Sequence, residues 1–407
     1  MVKHFAPISE RPAAQRGFGL VEIMIGLLIG LIAVLVIYQV YTVSEGFKRN
    51  TTAAGEAQQT GLFSAFVLGM ELGNAGAGVA VASLDLAACP DPGGAMPMRF
   101  AKSWRPLPVV IADSGNASTP DTFVVNYSMA TTLVTTAPFT AAAVAGSPFQ
   151  IQSPTGFHNN DLVVGVYLPG SQPPPSPPAP NPSCASSKVT NVALTNDAQG
   201  DVTITQTPVD PPAGIDLTGA STLLNLGPCD RVQKVMYSLK GGAWDNKPVC
   251  NLGTPCVLYS TPLLDTQGNN CGKPANPFVP NPLAANIVNM KIQYGIDSDK
   301  DTAQTLDTWV PATGAWSYDT VMQDTTLVPT ISQIKAVRIG IIVQSEQFDQ
   351  TLGDYNWVLF DCADVNKANC PGRLTGTIAA QTNPAGNWRF RKYETVIPMR
   401  NQIWNRY

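Results

Sequence analysis

Three groups of side chains in this sequence have the types and spacing that chemistry uses. The first is acidic. Asp297, Asp299 and Asp301 alternate in "IDSDKD", as the first three oxygen ligands of a calcium loop do. The rest of that pattern fails: Thr302 stands where the tight turn takes Gly, and Thr308 where the bidentate Glu belongs. Asp307 adds a carboxylate that a different geometry can use. The stretch reads as a solvated acidic turn, with calcium as the alternative and no other metal indicated. The second group is the eight Cys at 89, 184, 229, 250, 256, 271, 362 and 370. None lies in a Cys-x-x-Cys pair, and His4 and His158 are the only imidazoles, which disfavours a zinc site. An even cysteine count in such a chain reads as disulfides made in an oxidising compartment. Short loops make Cys362–Cys370 and Cys250–Cys256 candidate local pairs; the remaining connectivity stays open. The third is a single carboxylate, Glu22, at the outer end of a long apolar run. A charge in hydrocarbon costs roughly 2.5–3.5 kcal/mol, so its presence asks for a reason.

Catalysis has little to work with. No Gly-x-Ser-x-Gly elbow and no phosphate-binding loop occurs. His158, in "GFHNND", reads as a loop residue. No enzyme and no cofactor is expected. The formal charge is −4 with no basic block, which argues against nucleic acid as a partner. Only 13% of residues are charged while 44% are hydrophobic, against roughly 25% charged in an ordinary soluble protein. With 34 Gly and 35 Pro, most of the chain must be loops and short strands.

Two kinds of element must position these groups. Residues 18–43 are apolar, carry Glu22 as their one charge and contain no Pro. A helix of that length spans roughly 39 Å, enough for a hydrocarbon core of about 30 Å. Lys3, Arg11 and Arg16 precede it, with Glu10 the only acid. Positive flanks stay in the cytoplasm, so the rest of the chain is expected to cross, as the cysteines also require. Residues 44–74 continue without Pro, and Leu62, Phe63, Phe66, Val67 and Met70 recur at helical spacing. That stripe is expected to face the head. Gly55 and Gly61 each weaken the helix by about 1 kcal/mol, so a break near them is allowed. "GNAGAG", 73–78, is a stop signal. Beyond it, "TFVVNYS" (122–128), "DLVVGVYL" (161–168), "KVTNVALT" (188–195), "DVTITQT" (201–207), "RVQKVMYSL" (231–239), "NMKIQYGI" (289–296), "AVRIGIIVQS" (336–345) and "RKYETVIPM" (391–399) read as strands between turn residues. No strand-helix alternation appears, so the sheets should be antiparallel. "PGSQPPPSPPAPNP", 169–182, reads as a stiff exposed loop.

Gly17, aromatic Phe18, Glu22 five residues after the glycine, and then the unbroken apolar helix resemble the class III signal of type IV prepilins and type II secretion pseudopilins. The resemblance implies that residues 1–17 are a leader cut off by prepilin peptidase between Gly17 and Phe18, with N-methylation of Phe18. Glu22 would then meet the Phe18 amine of a neighbouring subunit, which answers why the carboxylate is kept: each charge offsets the burial of the other. Gly26 and Gly30 have the spacing that lets helices approach closely. In the head, "NIVNMKIQYGIDSDKD" (286–301), "IKAVRIGIIVQSE" (334–346), "YETVIPMRNQ" (393–402) and "LGMELGNAGAG" (68–78) are similar to PilW-type minor pilins. Region 155–280 carries no such likeness. The resemblance implies an α+β, pilin-like fold: a membrane-spanning helix over 18–43, its amphipathic continuation over 44–74, and a β-rich, disulfide-containing head over 75–407. It implies a structural role in priming or capping type IV pilus assembly. Expected partners are other minor pilins and the major pilin through the N-terminal helix, and a tip adhesin. The expected location is the bacterial inner membrane with a periplasmic head, then the pilus. A type II secretion pseudopilin is the alternative, and a membrane-anchored periplasmic binding module or enzyme a more distant one.

Overall fold

The computed structural model describes residues 17, 19–78, 98–102, 107–129, 136–141, 143–144, 147–166, 185–194, 202–210, 216–217, 222–240, 255–299, 305–323, 333–362 and 370–403. The polyproline stretch 169–182 lies outside them. Residues up to Ala53 and residues from Ala54 onward form two separate compact units.

Helix α1 runs unbroken from Leu20 to Asn74, through both Gly55 and Gly61. It is, among the described residues, the one helix long and apolar enough to cross a membrane. Short helix α2 (Met98–Lys102) and strands β1 (Val109–Ala112) and β2 (Thr122–Ser128) follow. Next come β3 (Thr136–Pro138), β4 (Ala143–Val144), β5 (Phe149–Ile151) and β6 (Asp161–Val166). After these lie β7 (Ala185–Leu194), β8 (Val202–Asp210), β9 (Asp216–Leu217) and β10 (Thr222–Pro228). The chain continues through β11 (Val232–Lys240), β12 (Cys256–Pro262), β13 (Asn281–Ile296) and β14 (Thr308–Pro311). It closes with α3 (Tyr318–Gln323), β15 (Ile334–Asp349), β16 (Tyr355–Leu359), β17 (Leu374–Ile378), β18 (Gln381–Thr382), β19 (Ala385–Pro398) and α4 (Arg400–Ile403).

The principal sheet has nine strands in the order β1-β2-β11-β12-β13-β15-β19-β18, with β14 added beside β13. Every pairing is antiparallel. Its central strands β13 and β15 are 16 residues each and largely buried; in β13, Met290, Ile292 and Tyr294 join the core with α1 and alternate with buried Asn289, Lys291 and Gln293 on the opposite face. Within the second unit, one face carries α1 through Ala57, Leu68 and Leu72 against Ile292, Ile339 and Tyr237 in one core. The other face is covered in part by the β16–β17 hairpin, where Trp357 and Leu359 pack with Ile342 and Phe390. The fold is α+β with a long N-terminal helix and antiparallel sheets.

Two disulfides join described residues. Cys362 pairs with Cys370, eight positions apart, and Cys229 with Cys271, 42 apart. Cys256 is also disulfide-bonded, but Cys250 lies outside the described residues. Loop-closure entropy gives the longer bridge the larger effect, about 4 kcal/mol against about 2.5 kcal/mol. Replacing both Cys229 and Cys271 by Ser should therefore lower the urea midpoint more than replacing Cys362 and Cys370. Equal losses would show that chain entropy is not what these bridges supply.

Candidate functional site

The candidate site is α1 and the surface on which its second half rests. Gly17 and Gly19 precede the helix in non-helical conformation, and Phe18 lies outside the described residues. Glu22 sits in the first turn with its side chain exposed, and its N–H donates to Gly19 O at 2.9 Å. An acid in that turn gains about 0.3–1 kcal/mol from the helix dipole. A Cβ placed on Gly17, Gly26 or Gly30 would meet nothing within 4 Å. No packing among the described residues of this chain demands glycine at those positions. From Leu20 to Val43 every large apolar side chain is between 52% and 75% exposed. A helix apolar all round requires lipid or other helices around it.

In the second unit the face of α1 that meets the sheet is not the Leu62–Met70 stripe. Leu62, Phe63, Phe66 and Met70 are exposed by 48% to 69%. Ala57, Gly61, Ser64, Leu68, Leu72 and Ala75 are buried instead. These recur at three- and four-residue spacing, which is the signal that hydrophobicity alone hides: small residues let the backbone come close. The closest approach is at Gly61. A Cβ there would collide with the Tyr393 ring of β19, so the ring rests directly on the helix backbone. The Tyr393 hydroxyl points to Ala57 O at 3.5 Å. Farther along, the Tyr127 hydroxyl donates to Glu71 Oε2 at 3.0 Å, and Tyr237 hydrogen-bonds the same carboxylate. Burial and then the Glu71 charge push both phenols well above their ordinary range. They stay protonated, as donors must. At the helix end Asn401 Nδ2 donates to Ala75 O at 2.9 Å.

This geometry separates two glycines that local propensity treats alike. Gly55→Ala meets open space and should stabilise by about 1 kcal/mol. Gly61→Ala should destabilise by about 1–3 kcal/mol through overpacking, despite the same gain in helix preference. Urea melts of the two variants decide it. A Gly61→Ala protein as stable as Gly55→Ala would mean the Tyr393 contact does not hold α1.

The acidic turn falls in part within the described residues. Carboxylate oxygens of Asp297, Asp299 and Asp307 lie within 4.8 Å of one another, Asp297 buried and the other two exposed. Asp301 lies outside the described residues. Asp307 Oδ2 accepts from Ser298 N at 2.8 Å and Ser298 Oγ at 3.0 Å. Those bonds, the Ser298 N–H first, hold its carboxyl below the ordinary range. Buried Lys335 faces Asp297, whose charge opposes the downward pull of burial on the ammonium. Asp307 thus caps the turn through Ser298, and the charges of Asp297 and Lys335 act on one another.

Strands β13 and β15 meet at a second structural centre. Arg338 of β15 lies between the Trp309 and Phe360 rings, 4.7 and 4.4 Å from their centroids. Its Nη2 donates to Gln293 Oε1 and to Pro371 O, both at 2.6 Å. Burial pulls its pKa down to about 10, with Glu394 acting against it. Trp309 can lie there because Gly295 has no side chain: a Cβ would be 2.8 Å from the indole. The centre holds Phe360 and Pro371, which flank the Cys362–Cys370 bridge. Sequence reading picked out its strands by likeness but not this cation stack, which forms across 45 residues between Gln293 and Arg338.

Two family models match the chain. Residues 12–38 match the prokaryotic N-terminal methylation motif. Residues 257–401, from β12 to α4, match type IV pilus-assembly protein W, PilW. No curated protein and no solved structure matches it. The first match covers Gly17, Glu22 and the all-round apolar start of α1; the second covers Tyr393, Arg338 and the central strands that carry the helix. The chain is PilW-like over residues 257–401 and prepilin-type over residues 12–38, which together support a minor-pilin-like protein of type IV pilus assembly.

Proposed function

We propose that this protein is processed by prepilin peptidase between Gly17 and Phe18, and that α1 then carries it into a complex that primes or caps the pilus. The supporting observation is the division of α1 into faces. Small residues and Leu68 and Leu72 go to the protein's own sheet, while Leu62, Phe63, Phe66 and Met70 stay uncovered. Aromatic and aliphatic side chains left in water at that density are what a neighbouring pilin-type subunit would cover. The match to a type IV pilus-assembly family supports the pilus over a secretion pseudopilin. The role is structural rather than catalytic, and the head lies in the periplasm, where the disulfides form. Gly26 and Gly30 serve helix–helix approach in the assembled complex.

Cells with an active prepilin peptidase should contain a chain beginning at N-methyl-Phe18. Loss of Lys3, Arg11, Arg16 and Glu10 removes three cations and one anion. Intact mass of the membrane-extracted protein reads this directly, and residues 1–17 still present would sink the reading. Phe66→Asp should leave processing and membrane level unchanged but lower the amount recovered in sheared pili.

A further inference from the structure

The chain between β2 and β11 departs from the principal sheet and returns to the same place. The two strands are antiparallel neighbours, with Ser128 opposite Val232. Beyond that pair, Met129 N–H donates to Arg231 O at 2.9 Å. This is the stem of a hairpin, and everything from residue 130 to 230 hangs from it. Six of the described strands within it form their own sheet in the order β3-β10-β6-β7-β8-β5, and β4 and β9 pair with each other separately. The two ends of that order also meet. Phe139, just past β3, bridges Ile151 of β5. Thr140 N–H donates to Gln150 O at 3.0 Å and Gln152 N–H to Pro138 O at 3.1 Å. The sheet is therefore a closed six-stranded barrel, which leaves no edge to share with the principal sheet. Its interior, including Phe149, Ile151, Val163, Ile204 and Leu223, is a cluster with no member in the core under α1. Among the described residues, Cys229–Cys271 and Lys188 Nζ donating to Gly268 O at 3.0 Å also tie it down. The PilW match begins at residue 257, after the barrel has ended.

We propose that the barrel is a self-contained module set into the β2–β11 hairpin, which opens independently of the principal sheet and which pilus assembly does not use. A separate core, a closed hydrogen-bond ring and adjacent chain ends are what let one part of a protein unfold while the rest persists. The second half of the proposal rests on the assembly role given above; the first half does not.

Native-state hydrogen exchange on the purified full-length protein, disulfides intact, tests the first half. The amides of Val163 and Leu223 should exchange through an opening of lower free energy and smaller denaturant dependence than those of Tyr294 and Ile339. One shared opening for all four would overturn it. Val163→Asp in the full chain keeps every cysteine and places a charge inside the barrel. It should abolish protection at Leu223, retain it at Ile339, and leave the ratio of protein in sheared pili to protein in the membrane unchanged. Lost protection at Ile339, or a fallen ratio at normal membrane level, would overturn the proposal. Failure of the assembly reading looks different: the wild-type protein itself would be absent from pili, with the exchange result untouched.

Discussion

Lys291→Met is expected to cost the head about 3–5 kcal/mol, the usual penalty for leaving one member of a buried pair alone. Lys291 Nζ lies 2.6 Å from Asp121 Oδ1, with both side chains at most 2% exposed. The pair occupies a specific gap. β12 covers β13 only as far as Ile287, which leaves the next part of that edge of β13 without a partner strand. Asp121 stands in for one: its N–H donates to Met290 O at 2.9 Å, and its Oδ2 accepts from Ile292 N at 3.2 Å. Ser114 N–H and the Lys291 ammonium saturate the other oxygen. Burial pushes the Asp121 carboxyl above its ordinary range, against the pull of Lys291. Removing the lysine removes that pull, so the carboxyl rises further. A carboxyl raised in the folded state favours folding when protonated and disfavours it when ionised. The variant's deficit should therefore be greatest near pH 7 and narrow as pH falls toward about 4. Asp121→Asn combined with Lys291→Met should recover most of the loss, because the amide oxygen still accepts from Ile292 N. Urea melts at both pH values measure this, and a pH-independent deficit would mean Asp121 is not the group left uncompensated.

Glu22→Ala should act on assembly alone. Its side chain is exposed, so membrane level and the urea midpoint of the head should match wild type. Insertion should ease slightly, since a charge leaves the hydrocarbon. Cleavage should persist, because the residue lies five positions beyond Gly17. In the proposed complex the carboxylate faces a neighbour's Phe18 amine, and losing it strands a buried cation, a loss of about 3–5 kcal/mol. Protein recovered from sheared pili should drop by more than tenfold relative to the membrane pool, since about 1.4 kcal/mol is a factor of ten. Glu22→Gln should fall between, with one acceptor retained and no charge. Unchanged incorporation of Glu22→Ala would rule out the carboxylate as the device that sets subunit register.

What was legible in the sequence was whatever depends on neighbours along the chain. The apolar run 18–43, the antiparallel head and the strands around 122–128, 289–296 and 336–345 follow from hydrophobic runs and turn residues, because those properties act over a few residues. Likeness carried the prepilin start and the PilW strands. Three things came only from tertiary structure. The buried face of α1 was one: Phe63 and Phe66 are larger than Ala57 and Gly61, so composition points outward where packing points inward, and only the Tyr393 ring on Gly61 shows why. The barrel was another, since its closure is a few hydrogen bonds between Pro138–Thr140 and Gln150–Gln152 that no single-strand pattern contains. The third was the acidic turn. Asp307 was a candidate in the sequence, but that its carboxylate meets those of Asp297 and Asp299 follows from the pairing of β14 with β13. In each case the deciding contact joins residues far apart in sequence, and its energy depends on close approach and shape, which a linear reading does not carry.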